Sequence, residues 1–250
     1  MSYNLRYANE HDGNDRWVER DEDVLALIQQ YKPVVLGVQE GLHEQVVFLE
    51  NGLTGYERIG VGRDDGATKG EHAAILFDSG ILQLLSTETF WLSETPDQVS
   101  VGWDAAMERV CTFGHFKFRG SSQEVVVFNA HFDHIGNMAR LKSAELLMKR
   151  AESFIQKGIP IVVMGDLNAE PNSPPIQTII EVFGDPLLTT SLKGPIGTWN
   201  GFDATSAMER RIDYIFLRNA TVESYQHIDD RRPDGRMPSD HLPVLMKADL

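Results

Sequence analysis

The chain has 250 residues and a formal net charge of −14, with 37 Asp and Glu against 23 Lys and Arg. Hydrophobic residues make up 42%, which is enough for a buried core and excludes a disordered chain or a fibrous repeat. The acidic balance also excludes a large basic surface for a long nucleic acid, so any bound anion would need a cation held by carboxylates.

The first element in chain order is an amphipathic helix. Apolar residues recur at helical spacing between 24 and 31. The acidic residues of 19–23 suit the positive end of the helix dipole, and Pro33 ends the pattern. The apolar run 34–38 then predicts a strand that places Glu40 just beyond its end.

A second helix is predicted between 144 and 155, and Gly158 is its expected C-terminal cap. The apolar run 159–164 after it predicts a buried strand that leads to Asp166 and Asn168. Further strand candidates are 73–77, 110–118, 125–132, 211–217 and 242–246. Many strands with only two helical patterns predict one α+β layered domain over 1–250, rather than a doubly wound sheet.

The cysteine content and the hydropathy indicate the cellular compartment of the protein. Cys111 is the only cysteine, so no disulfide forms within the chain, and no Cys/His spacing resembles a zinc site. A reducing compartment is therefore favoured, and we expect a cytoplasmic protein. No signal-like stretch and no run of roughly 18 apolar residues occurs, so neither a membrane nor an obligatory protein partner is expected.

Polar side chains follow the apolar runs, often two positions apart. Asp166 and Asn168 share one face if the strand geometry persists, as do His131 and Asp133, and Asp213 faces away from the core side of its strand. One such residue alone is more often a turn or a cap. A series of them in one chain predicts a common site: Asn4, Glu40, His131, Asp166, Asn168, Asp213, Asp240 and His241.

These residues stand in short motifs, namely SYN at 2–4, QE at 39–40, HFDH at 131–134, GDLN at 165–168, RIDYIF at 211–216 and SDH at 239–241. In this order they resemble the endonuclease/exonuclease/phosphatase superfamily of metal-dependent phosphoesterases over nearly the whole chain. The segments RYANEHDGNDRW, FWLSETP and GWDAAMER further resemble the bacterial branch related to the poly(A)-shortening nucleases. The resemblance implies a deoxyribonuclease-I-like fold, a four-layered α/β sandwich of two packed mixed sheets flanked by helices.

The resemblance also implies hydrolysis of a phosphate ester by in-line attack of water, with Mg²⁺ or Mn²⁺ as cofactor. Glu40, supported by Asn4 and Asp240, would hold the metal, because hard ions take carboxylate and amide oxygens. Asp166 would orient the attacking water, and Asn168 would donate to the water or to a phosphoryl oxygen.

Two histidines complete the catalytic set that the resemblance implies. His241 would contact the phosphate, with Asp213 fixing its tautomer. His131 would bind the phosphate or protonate the leaving oxygen. Arg109 is expected to contact the phosphate, with a surface salt bridge as the open alternative. Trp199, on a Gly-rich loop, is expected to stack on a base or sugar, with packing in the core as the open alternative.

Three functions remain open at this point. The leading one is a phosphodiesterase or nuclease on single-stranded nucleic acid or a small nucleotide ester. The second is a phosphomonoesterase of sugar or inositol phosphates, because the superfamily hosts both chemistries on one set of residues. The third, of another class, is a binding module with the same fold and no catalysis, but none of the expected catalytic residues is missing from this chain.

Overall fold

Two mixed sheets form the centre of the protein in a computed structural model that describes residues 1–250. The strands are β1 (Ser2–Asn4), β2 (Val35–Gln39), β3 (Tyr56–Ile59), β4 (Ile75–Asp78), β5 (Leu82–Trp91), β6 (Val110–Phe118), β7 (Glu124–His131), β8 (Ile161–Asp166), β9 (Leu192–Lys193), β10 (Asp213–Arg218), β11 (Thr221–His227) and β12 (Val244–Asp249). One sheet has the order β3-β4-β2-β1-β12-β11-β9, and the other has the order β10-β8-β7-β6-β5.

Helices cover the outer face of each sheet, which confirms the predicted four-layered α+β sandwich. They are α1 (Asp21–Tyr31), α2 (His43–Gly52), α3 (Asn137–Gln156) and α4 (Pro174–Phe183). Short 3₁₀ turns occupy Glu10–Asp15, Trp17–Glu19 and Pro186–Leu188. None of the helices combines the length and the apolar character needed to cross a bilayer.

Three apolar layers hold the sandwich together. Between the five-stranded sheet and helices α3 and α4 lie residues such as Phe128 and Val163, and between the seven-stranded sheet and helices α1 and α2 lies Val38. The third layer, between the two sheets, includes Val127 and Met164. Because neighbouring residues of β7 and β8 are buried on opposite faces, these strands read as continuous apolar runs.

Helices α1 and α3 confirm the two helical predictions, whereas α2 and α4 were not predicted. Helix α1 ends at Tyr31 as Pro33 indicates, with Lys32 in a left-handed conformation. Helix α4 begins at two prolines, a favoured position because the first helical N–H groups need no partner within the helix. Strands β5 and β11 were also missed, because their exposed positions break up any apolar run.

A buried polar network fixes the two sheets relative to each other behind the polar strand ends. The Asn129 side-chain amide on β7 donates to the carbonyls of Val38 (2.9 Å) and Ala74 (2.8 Å). The Gln39 amide donates to Asn129 Oδ1 (2.6 Å). Gly37 makes room for this contact, since a Cβ there would come within 2.8 Å of Asn129 Oδ1. The strand ends that carry Glu40 and His131 are therefore held in one register.

Candidate active site

The ends of several strands meet at one edge of the sandwich, on the faces that the two sheets turn toward each other. In the pairing of β8 with its neighbours, Asp166 lies opposite Asp213 on one side and His131 on the other. From the other sheet come Asn4 at the end of β1 and Glu40 just after β2. The predicted site residues therefore converge although they are far apart in the chain.

Asn4 links carboxylates from both sheets. Its side-chain amide donates to Glu40 Oε1 (3.0 Å) and to Asp166 Oδ2 (2.9 Å). Its side-chain Oδ1 accepts from the Arg6 backbone N–H (2.9 Å), which fixes the N–H end of the amide toward the carboxylates. Ser239 Oγ donates to the backbone carbonyl oxygen of Asn4 (2.7 Å) and brings the adjacent Asp240 to the same edge.

On one side of Asp166 lies His241, which is surrounded by carboxylates. Its Nδ1 is 2.8 Å from Asp213 Oδ2, and its Nε2 is 3.8 Å from Asp166 Oδ2. Burial alone would lower the pKa of His241, but the Asp213 and Asp166 carboxylates outweigh it and raise this pKa well above its usual range. Thr198, which the sequence analysis missed, donates its hydroxyl to Asp213 Oδ2 (2.6 Å).

On the other side lies His131, which faces an arginine instead. Arg109 Nη1 is 3.1 Å from His131 Nδ1 and 3.0 Å from Nε2, and Glu71 Oε2 is 3.5 Å from Nδ1. Burial and the Arg109 charge together lower the pKa of His131 to about 3. Glu71 is itself held by both Nη groups of Arg63, at 2.7 and 2.9 Å. Glu71 and Arg63 were missed because they lie in the connection between β3 and β4 rather than at a strand end.

The backbone at two of these positions is strained. Glu40 has φ +60° and Asn168 has φ +46°, a left-handed region that non-glycine residues adopt rarely, although Asn does so more readily. The prediction that Asn168 follows in strand geometry is therefore wrong, because β8 ends at Asp166. The side-chain amide of Asn168 nevertheless lies 3.3 Å from His131 Nε2, and its backbone N–H donates to Asp166 Oδ1 (2.9 Å).

Asp213 also differs from its prediction in one respect. It faces away from Tyr214 as the alternation indicates, but that face is not solvent exposed. Asp213 is 1% exposed and Ile215, on the same face, is 2% exposed, because the second sheet covers this side. Core lies on both sides of β10, and Asp213 belongs to the cleft between the sheets.

The two predicted substrate contacts flank this cleft. Arg109 is 5% exposed and forms the His131 contacts described above. Trp199 is 37% exposed, and its backbone pairs with that of His241 in an isolated bridge. The guanidinium of Arg210 lies 5.1 Å from the centroid of the Trp199 ring.

The donor set suits a divalent cation. Ligand atoms of Glu40, His131 and Asp166 lie within 4.8 Å of one another, and so do those of Asp166, Asp213 and His241. Burial and the nearby Glu40 carboxylate raise the pKa of Asp240 to about 6, against the opposing effect of His241, Arg6 and Arg20. Carboxylate oxygens gathered in this way fit a hard ion such as Mg²⁺ or Mn²⁺.

A cavity of about 570 Å³ lies elsewhere in the protein. It opens at the other ends of the strands, where Val35, Leu82, Val125 and Leu245 line it. Most of its lining is hydrophobic, and it contains none of the site residues discussed above. Converging ionisable groups rather than cavity size therefore locate the candidate active site.

Comparisons with known proteins identify the family. The model of the Endonuclease/Exonuclease/phosphatase family matches residues 1–241. A mannosyl-6-phosphatase from Bacteroides thetaiotaomicron VPI-5482 superposes with a TM-score of 0.94 and 37% identity, covering 100% of this chain and 98% of that one.

Two eukaryotic proteins are similar to the chain at lower identity. The human Nocturnin catalytic domain has a TM-score of 0.72 and 20% identity, covering 93% of this chain and 87% of that one, which shows the shared fold alone. Protein angel of Drosophila melanogaster is 25% identical over 177 residues, which are 68% of this chain and 48% of that protein.

Proposed function

Because the chain belongs to the Endonuclease/Exonuclease/phosphatase family and is a phosphoesterase, we propose that it is a metal-dependent phosphomonoesterase acting on a sugar phosphate. The observation that carries this proposal is the full-length similarity to a mannosyl-6-phosphatase, at 37% identity and a TM-score of 0.94. The sequence alone favoured a phosphodiesterase or nuclease. Because of this similarity, we now favour the sugar phosphatase.

The charge around the site supports a small substrate. The arginines near the cleft are already paired with carboxylates: Arg6 with Asp12 (3.0 Å), Arg63 with Glu71 (2.7 Å), Arg109 with Asp133 (3.4 Å) and Arg210 with Glu170 (3.7 Å). A polynucleotide needs free cations at several successive phosphates. With a net charge of −14, the chain favours a substrate that carries one phosphate.

Asp166 is the residue that orients the attacking water in this proposal. Its Oδ1 is occupied by the Asn168 backbone N–H, and its Oδ2 lies within 4 Å of the side-chain nitrogens of Asn4, His131 and His241. Burial and the Asp213 charge raise the pKa of Asp166, which makes it a better proton acceptor than a free aspartate. Asp166 Oδ2 is therefore the expected point of contact with water.

His241 binds the phosphoryl oxygens. Asp213 accepts from its Nδ1, so Nε2 points toward the cleft as a donor, and the neighbouring carboxylates favour the protonated ring. Negative charge grows on the phosphoryl oxygens in the transition state, where a fixed cationic donor stabilises it. Thr198 keeps Asp213 in place for this task.

His131 and Asn168 form the opposite wall of the phosphate site. Burial and Arg109 favour the neutral imidazole, so His131 binds through a hydrogen bond rather than as a cation. Glu40 and Asp240 would hold Mg²⁺ or Mn²⁺, which when bound neutralises phosphate charge. Asn4 would position Glu40 through its side-chain N–H group rather than ligate the metal, because its Oδ1 already accepts from the Arg6 backbone. This arrangement lets an acidic protein bind an anion.

A substrate panel tests the proposal. Turnover would be measured with Mg²⁺ on mannose 6-phosphate, p-nitrophenyl phosphate, bis-p-nitrophenyl phosphate and 5′-labelled oligo(A), with Asp166→Asn as the inactive control. We expect hydrolysis of both monoesters, with the sugar phosphate preferred, and little cleavage of the diester. Preferred cleavage of the diester or of oligo(A) would overturn the monoesterase in favour of the nuclease, and silence on every substrate would indicate a binding module.

A further inference from the structure

The part of the substrate beyond the phosphate has only one predicted contact so far, the Trp199 ring. A series of side chains leads from the phosphate site to the surface next to it. Side-chain exposure rises from 7% at His131 and 5% at Arg109 to 46% at His134. His134 is therefore the member of this series that a substrate group outside the buried site would meet.

Arg109 determines which nitrogen of His134 carries the proton. Its Nη2 lies 2.9 Å from His134 Nδ1. A guanidinium has only donors, so His134 Nδ1 must accept this hydrogen bond. In the neutral ring the single proton then resides on Nε2, which becomes a donor with a fixed direction. The other groups near this ring are Asp133 Oδ1, which lies 3.9 Å from Nδ1, and the Arg109 guanidinium itself.

Hydrogen bonds hold the backbone of the loop that carries His134. Asp133, which is 1% exposed, accepts from the backbone N–H groups of Ile135 (3.0 Å) and Gly136 (2.6 Å). It also accepts from Arg109 Nε (3.4 Å), and Arg140 Nη1 donates to its carbonyl oxygen (2.9 Å). The position of the His134 ring is thus set by buried partners, although the ring itself is exposed.

The surroundings of His134 are those of a sugar subsite. Ile135, the next residue in the chain, is 63% exposed and Met138 is 49% exposed, so the segment that carries the donor also exposes apolar side chains. A sugar presents hydroxyl oxygens that accept hydrogen bonds and C–H faces that pack on apolar side chains. We propose that His134 is a specificity-determining residue that donates its Nε2–H to a hydroxyl oxygen of the sugar, with Arg109 as its positioning residue. This inference rests on the proposed function.

The test compares two substitutions on two substrates. His134→Phe keeps the ring size and removes the donor, whereas His134→Gln keeps an N–H group near the Nε2 position. The kcat/KM for mannose 6-phosphate would be divided by that for p-nitrophenyl phosphate, which has no hydroxyl groups on its leaving group. We expect His134→Phe to lower this ratio about tenfold, mainly through the KM for the sugar phosphate. We expect His134→Gln to stay within about threefold of the wild type.

Each outcome has a distinct meaning. If the wild type does not prefer the sugar phosphate over the aryl phosphate, the proposed function fails and this inference fails with it. If the wild type prefers the sugar phosphate and His134→Phe keeps that preference, the inference alone is overturned. His115→Phe is the matched control, because His115 lies on β6 with Glu124 as its partner (2.7 Å), and its ratio should equal that of the wild type.

Discussion

His131 and His241 are both 5% exposed and lie on either side of the same carboxylate, yet their pKa values move in opposite directions. Burial lowers the pKa of both. The two carboxylates beside His241 raise its pKa, whereas Arg109 beside His131 lowers the pKa of that ring further. Because burial acts on both histidines in the same direction, the charged partners account for the opposite directions of their pKa values.

The largest effect is expected from Asp166, the residue that the two histidines share. Asp166→Asn removes the group that accepts the proton of water, so kcat should fall by about 10³-fold or more while KM changes little. Steady-state kinetics on the preferred monoester, together with a melting curve, checks this result. A kcat within tenfold of the wild type would remove Asp166 from the catalytic role.

The carboxylate side of the site, which consists of Asp166, Asp213 and His241, can be tested at Asp213. Asp213→Asn takes away the charge that keeps His241 protonated and oriented, and kcat should fall between about 10² and 10⁴-fold. Thr198→Val removes only the hydroxyl that donates to Asp213, so its loss should be smaller, about tenfold. Equal losses in the two variants would contradict the order of these roles.

The sequence predicted the carboxylate side well, and the reason is local. Asp166, Asp213 and His241 stand at strand ends or next to an apolar run, where residue alternation and motif order are readable along the chain. The class of fold and the family followed from the same motifs. The left-handed backbone at Asn168 was not readable, because it depends on where β8 stops.

The arginine side of the site, which consists of His131, Arg109, Glu71 and Arg63, was predicted only in part. Glu71 contacts His131 across 60 positions of the chain, through a loop whose path no periodicity encodes. Helices α2 and α4 escaped prediction for a related reason. They are ten residues each, which gives fewer than three turns in which a helical period can be recognised.

The arginine side can be tested at Glu71. Glu71→Gln removes the charge that Arg63 and Arg109 share, so His131 loses part of its support, and kcat/KM should fall about tenfold. Glu124→Gln is the matched control, since Glu124 also contacts a histidine, His115 (2.7 Å), but far from the cleft. Similar losses in both variants would point to a general effect on stability rather than on the site.

A third buried histidine extends the comparison outside the site, where we expect an effect on stability and none on activity. Burial lowers the pKa of His227 to about 4, and its Nδ1 lies 2.8 Å from the Pro195 carbonyl oxygen. The folded state binds this proton less well than the unfolded chain does. The stability that His227 contributes is therefore complete above pH 6.5 and is lost as the pH falls from 6.5 toward 4.

The size of this loss is on the order of 3 kcal/mol in the free energy of unfolding. Urea unfolding at a series of pH values would measure it in the wild type and in His227→Gln. The variant should show a shallower decline between pH 6.5 and pH 4. Parallel curves for the two proteins would show that His227 is not the source of the acid sensitivity.

The most direct test of a single metal-dependent site built from both sheets is the restoration of activity by metal after its removal. Enzyme stripped with EDTA and then dialysed should be inactive on its preferred phosphate ester, and added Mg²⁺ or Mn²⁺ should restore the wild type but not Glu40→Gln at the same metal concentration. Full turnover by the stripped enzyme, or equal restoration of both proteins, would contradict the assignment of these carboxylates to a catalytic metal site.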